Sequence, residues 1–141
     1  MQTITWILGI VLSACCIQGT HAQQTRIASY SEASDIFWDE LYPSAFQELY
    51  CGKQVADRGA HNIEHVFPAF WMTKHLGCGS RKKCRRSSPE FNRMEADLHD
   101  LYPARIAVNN LRGSFPFGDV AGERHDFPAC DFEEQAGLVE P

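Results

Sequence analysis

The chain has no excess of basic charge. Its 13 Lys and Arg stand against 18 Asp and Glu, a formal net charge of −5 over 141 residues. That excludes a uniformly cationic binder of nucleic acid or membrane surfaces, though not a local cationic face. Beyond the opening segment, no stretch has the ~20 apolar residues of a membrane span. No cysteine spacing matches the C-x₂₋₄-C pair of a structural zinc site. Internal repeats and low-complexity tracts are absent, which excludes solenoids and disordered arrays.

The opening segment itself lacks Lys and Arg in its n-region. It still reads as an export signal from Met1 to about Ala22, with an apolar centre from Ile4 to Ile17 and Thr20-His21-Ala22 before the cut. Leu12-Ser13-Ala14-Cys15 offers a second reading, similar to a bacterial lipoprotein signal with a lipid on Cys15. Residues 23–141 are then one domain, large enough for a core of its own. The expected location is the periplasm or the medium. Cleavage after Ala22 leaves Cys51, Cys78, Cys84 and Cys130. An even count in an exported chain implies disulfides. Four cysteines permit three pairings. Cys78 and Cys84 could close a small loop around Gly79-Ser80, and Cys51 with Cys130 would then tie the start of the domain to its end.

The net charge hides an asymmetry. From His65 to Arg112 there are nine Lys or Arg and four Asp or Glu, and the acids concentrate on either side. A basic middle between acidic flanks suits a phosphate-binding face; its bland counterpart is a solvated surface run.

Ile36, Phe37, Leu41, Phe46 and Leu49 recur at helical spacing, so Ala28–Tyr50 is expected as helix, split into two at Pro43. Ile63–Phe67 reads as a strand ended by Pro68, and Ala69–Leu76 as one or two helical turns. Cys78–Pro89 reads as a basic polar loop and Pro89–Leu98 as helix. Leu98–Tyr102 reads as a second strand stopped by Pro103, and Ala104–Arg112 as a helix ended by Gly113. The centre is thus strand, long excursion, strand, helix.

Within that centre, Glu64 and His65 on the first strand are answered by Asn109 on the helix. A neutral His can take a proton from water near neutral pH. Mg²⁺ takes few protein oxygens and keeps several waters, which one carboxylate and one amide oxygen satisfy. Arginine supplies fixed donors to phosphate. One difficulty stands out: neighbouring strand residues point to opposite faces, so Glu64 and His65 should not share a site on a regular strand.

Ile63-Glu64-His65-Val66-Phe67-Pro68-Ala69, Ser80-Arg81-Lys82-Lys83-Cys84, Arg93-Met94-Glu95-Ala96-Asp97-Leu98-His99-Asp100-Leu101 and Val108-Asn109-Asn110-Leu111-Arg112-Gly113 together resemble the bacterial endonuclease I family. These are periplasmic or secreted non-specific nucleases. The resemblance runs from about Ser29 to Asp126, four motifs in register. It implies an α+β fold in which a ββα-metal (His-Me) finger is embedded in a mainly helical, disulfide-bonded domain. It implies a monomer that cuts DNA, and in several members RNA, to 5′-phosphate ends. By the same resemblance His65 is the general base, Glu64 and Asn109 hold Mg²⁺, and Arg81 holds the cleaved phosphate. Glu95 is a further catalytic-group residue. Lys82, Lys83, Arg85 and Arg86 crowd the loop beside Arg81 as nucleic-acid contacts. Arg112 is either another such contact or a charge favoured at a helix C-terminus. His99 reads as a hydrogen-bonded structural residue.

Departures from the family are local except one. Asn109-Asn110-Leu111-Arg112 stands where the family usually has Asn-Gly-Asp-Arg. The family's members continue well beyond the point matching Pro141, so the resemblance implies a domain without their C-terminal helices. Two other functions compete: a nucleic-acid-binding remnant that does not cut, and a disulfide-stapled extracellular binding module.

Overall fold

The structure is a computed structural model that describes residues 24–122, 126–127 and 130–141. The expected export signal and Cys15 lie outside them. Among the described residues no helix is long and apolar enough to cross a membrane.

Helix α1 (Tyr30–Ile36) starts where Ser29 Oγ accepts from Glu32 N, and it continues into a π-helical turn, Phe37–Leu41. The second helix expected after Pro43 is instead a small hairpin. Strands β1 (Phe46–Gln47) and β2 (Gln54–Val55) pair Phe46 with Val55 and Gln47 with Gln54. Its loop turns at Gly52, with φ +63°, and is tied by Gln47 Nε2 to Gly52 O and by Cys51 N to Glu48 Oε1. Phe46 is buried among Trp38, Tyr42 and His61. An aromatic cluster of this kind repeats irregularly in sequence, and its spacing mimics a helix.

Strands β3 (His61–His65) and β4 (Leu101–Arg105) pair antiparallel, from His61 against Arg105 to His65 against Leu101. Leu98–Asp100, expected as strand, is a 3₁₀ turn capped by Asp97. Pro103 does not stop β4 but lies inside it, opposite Ile63. Its carbonyl faces away from β3 and accepts from Leu49 N at 2.8 Å, so its missing N–H falls on the side that β3 does not need. Helix α5 (Ile106–Arg112) follows and packs on both strands.

Between β3 and β4 run α2 (Ala69–Leu76), α3 (Arg81–Ser87) and α4 (Pro89–Glu95). The helix α3 replaces the expected loop. It has no apolar stripe, burying only Cys84. What folds it is local and tertiary: Ser80 caps it by accepting from Lys83 N, and the Cys78–Cys84 disulfide staples its first turns. Lys and Arg are themselves good helix formers. The following Pro89 takes the first position of α4, with Ser88 Oγ accepting from Phe91 N.

Three apolar clusters hold the described residues together. Ala33, Phe37, Ile63, Ala96 and Leu101 join α1 to the central hairpin. Ala69, Met72, Cys84 and Phe91 join α2, α3 and α4. Tyr50, Ala104, Val108, Phe132 and Val139 join α5 to a C-terminal hairpin, β5 (Glu133–Gln135) with β6 (Leu138–Glu140). That hairpin turns through Ala136 and Gly137, both at positive φ, as a two-residue type I′ turn requires. Of the three possible pairings the chain adopts Cys51–Cys130, spanning 79 residues, and Cys78–Cys84, spanning six.

Candidate active site

A cleft of about 850 Å³ opens between β3, α2, the start of α3 and α5, lined by Glu64, His65, Arg81, Asn109 and Arg112 among others. Its floor follows from two periodicities. Along β3, Asn62 and Glu64 share a face, because strand side chains alternate. Along α5, Asn109 and Arg112 share a face, because residues three apart on a helix are neighbours. The two faces meet pair by pair. Asn109 Nδ2 donates to Asn62 Oδ1 at 2.9 Å and to Ile63 O at 3.4 Å. Arg112 donates to Glu64 Oε1 at 2.7 Å.

Alternation resolves the difficulty over Glu64 and His65. They do point to opposite sides of β3, Glu64 toward Tyr50 and α5, His65 toward α1 and α4. Both border the cleft, which runs along β3 from Asn62 to His65.

Glu64 is 3% exposed. Its Oε1 accepts from the Tyr50 hydroxyl at 2.5 Å and from Arg112, while Oε2 makes neither bond. Burial pushes the Glu64 carboxyl up, and the Tyr50 hydroxyl, Arg112 and the His65 backbone N–H oppose it. The amide of Asn109 is fixed in the same manner: with Nδ2 engaged twice, Oδ1 is the atom left over. The Glu64 carboxylate and the Asn109 amide oxygen thus border one cleft as candidate oxygen donors. Among the described residues no cluster of three or more His, Cys, Asp or Glu could hold a metal. The donor set therefore fits a hard cation with few protein ligands and several waters, and fits zinc poorly.

His65 is 7% exposed, and its Nε2 lies 3.0 Å from Glu95 O. A backbone carbonyl only accepts, so Nε2 carries the proton and Nδ1 is the bare nitrogen. Desolvation by burial pulls the imidazole down to about 4, and the Glu95 carbonyl partly offsets it.

The arginine sites divide. Arg81 borders the cleft and donates from Nε to Glu95. Arg85 donates to both Glu95 carboxylate oxygens, at 2.7 and 2.9 Å, away from the cleft lining. Both guanidiniums lie over the Tyr30 ring, at 5.2 and 5.0 Å, and that ring sits 5.3 Å from His65. Glu95 itself is fully buried, with its carboxylate taken by the two arginines. Its carboxylate and its carbonyl contact Arg81, Arg85 and His65, and it is not part of the cleft lining. Lys82, Lys83 and Arg86 are exposed on α3 and do not line the cleft.

Arg112 also lines the cleft. It is 2% exposed and donates to Glu64, to His65 O at 2.8 Å and to Val66 O at 2.5 Å, while its Nε has no partner among the described residues. A guanidinium so engaged holds the end of β3 to α5. His99 lies outside the cleft, hydrogen-bonded to Asp97.

Sequence reasoning missed Tyr50, Asn62 and Tyr30. Asn62 carried a signal, standing two residues before Glu64 and so on its face. Tyr50 and Tyr30 carried none, because their roles depend on distant segments meeting.

Compared with known proteins, residues 5–134 match the family model described as Endonuclease I. An extracellular deoxyribonuclease of Aeromonas hydrophila is 40% identical over 158 aligned positions, covering 92% of this chain and 66% of that protein. A periplasmic deoxyribonuclease of the same organism is 39% identical over 94 residues, 61% of this chain and 39% of the relative. Endonuclease-1 of Buchnera aphidicola is 33% identical over 85 residues, 55% and 33% of the two chains. The chain therefore spans from a third to about two thirds of the length of these relatives. Two disulfides and relatives named extracellular and periplasmic agree on a location outside the cytoplasm, periplasmic or secreted. With nearly its whole length matched and Glu64, His65, Arg81 and Asn109 brought to one cleft, the chain belongs to the endonuclease I family.

Proposed function

We propose that this chain is a Mg²⁺-dependent, non-specific endonuclease that hydrolyses DNA phosphodiester bonds, and RNA by the same chemistry, through a ββα-metal finger made of β3, β4 and α5. The observation that carries this reading is the orientation of the cleft's groups. A buried His65 has its Nδ1 bare and borders the same cleft as the Glu64 carboxylate and Asn109, whose Oδ1 is unspent.

His65 accepts a proton from water at Nδ1. The hydroxide attacks phosphorus, the P–O3′ bond breaks, the leaving O3′ takes a proton from solvent water, and the products are a 5′-phosphate and a 3′-hydroxyl. Arg81, held by Glu95, pairs with a phosphate oxygen as negative charge builds. Glu64 and Asn109 would hold Mg²⁺, which when bound supplies positive charge beside the phosphate and the leaving oxygen. Tyr50 and Arg112 keep Glu64 oriented, and Asn62 keeps Asn109 oriented. In this reading the four groups directed at the reaction address phosphate and water rather than base edges. That supports a lack of sequence preference.

The test is incubation of the oxidised, purified chain with plasmid DNA, in Mg²⁺ and in EDTA, beside His65→Ala. Cutting should require Mg²⁺ and fall at least about a hundredfold in the variant, the usual scale of a general base, with an unchanged circular-dichroism spectrum. Full cutting in EDTA or by the variant would sink the proposal. Salt-dependent binding without cutting by the parent would favour the nucleic-acid-binding remnant.

A further inference from the structure

One face of α2 belongs to the cleft. Phe70, Thr73, Lys74 and, beyond the last turn, Gly77 all line it, the i, i+3, i+4, i+7 stripe of a single helix face. The helix's apolar anchors to the core are Ala69 and Met72, so Phe70 is not needed there, and it stands 47% exposed. It is nevertheless held. Trp71 meets it edge to face at 5.6 Å, and the Trp71 indole N–H donates to Ser114 O at 2.9 Å. Lys74 Nζ lies 5.3 Å from the Phe70 ring centroid. Among the described residues Lys74 has no carboxylate in an ion pair with it. An exposed ring fixed by its neighbours, with an unpaired ammonium above it, borders the same cleft as Arg81.

Such a pair matches one nucleotide. A base has an apolar π-face and a phosphate of opposite charge to lysine, and base–aromatic stacking tolerates any sequence. We propose that Phe70 and Lys74 form a subsite for the unpaired nucleotide next to the scissile phosphate, the ring stacking on the base and the ammonium pairing with its phosphate. This rests on the nuclease reading and extends it to a preference for single strands. A duplex keeps its base faces stacked on their neighbours, so only an unpaired or unstacked base reaches the ring.

Binding to a fluorescently labelled single-stranded oligothymidylate and to a duplex of equal length, in EDTA and on a His65→Ala background, tests the proposal. Phe70→Ala should weaken the single strand about tenfold and the duplex less than about twofold. Phe70→Leu keeps apolar bulk without a π-face and should behave like Phe70→Ala, whereas Phe70→Trp should retain binding. Lys74→Gln should reduce the salt slope of single-strand binding by about one. Equal losses on both ligands, or none, in the Phe70 variants overturn the subsite while leaving the nuclease reading intact. A parent chain that binds neither ligand overturns both.

Discussion

At the scale of single residues, the site is made of atoms that are free because their neighbours are not. Asn109 presents Oδ1 because Nδ2 is engaged by Asn62 and Ile63. Asn62→Ala should therefore leave the fold intact yet raise the Mg²⁺ concentration for half-maximal cutting about tenfold or more, the usual scale for the partner of a metal ligand. A Mg²⁺ titration that superimposes on the parent's would show that Asn62 has no such role. Asp100 is a second case. Its Oδ1 accepts from Phe67 N at 2.6 Å, while Oδ2 is buried with no partner. Burial raises its carboxyl from 3.8 to about 6, against the pull of the Phe67 N–H. A carboxyl raised in the folded state binds a proton there more readily than in the unfolded chain. Its charge thus weakens the fold above about 6, and protonation relieves this as pH falls toward 3.8. Asp100→Asn should raise the Tm in neutral buffer, and the gap to the parent should close on acidification. A gap independent of pH would contradict the assignment.

At the scale of elements, the junction of β3 with α5 decides whether the cleft exists. The buried Arg112–Glu64 pair crosses it, with the Tyr50 hydroxyl on the same carboxylate oxygen and two β3-end carbonyls on the same guanidinium. Removing one partner of a buried pair strands the other's charge. Arg112→Met should cost about 3–5 kcal/mol in urea unfolding and abolish cutting as Glu64 loses its orientation. A loss below about 1 kcal/mol would mean that the junction is held by apolar contacts instead. The helix α3 shows the same dependence from the other side. Its sequence reads as a polar loop, and it becomes helix because Ser80 caps it, Cys78 staples it and Arg81 and Arg85 converge on the buried Glu95.

At the scale of the whole molecule, the two disulfides act on very different lengths of chain. Cys51–Cys130 closes 79 residues and joins the loop after β1 to the C-terminal segment beside Phe132; Cys78–Cys84 closes six. In the chain-entropy account these contribute about 4.5 and about 2 kcal/mol. Replacing both cysteines of the long bridge by Ser should lower stability more than replacing those of the short one, as read by urea midpoints of the two variants. The short bridge sits at the start of α3, so its loss should instead weaken cutting through Arg81. The reverse order of stabilities would reject the entropic account.

Much of the proposed site was legible in residue types and local spacing. Glu64, His65, Arg81 and Asn109, which share one cleft, can be named as candidates from the sequence because general-base, hard-metal and phosphate chemistry draw on few residue types, here in motifs with fixed order. The strand–excursion–strand–helix order is legible too, since hydrophobic alternation and the Gly113 stop are local signals. What the sequence left open was everything set by contact between distant segments. That Phe46 belongs to a hairpin, that Arg112 is buried on Glu64 and that Glu95 positions two arginines all follow from packing across tens of residues. So do the choice among three cysteine pairings and the nitrogen of His65 left bare. Sequence by itself determined which chemistry the chain carries, because that resides in the side chains. Tertiary structure alone decided which atoms remain free to perform it, because a hydrogen bond made elsewhere is what removes or leaves each lone pair.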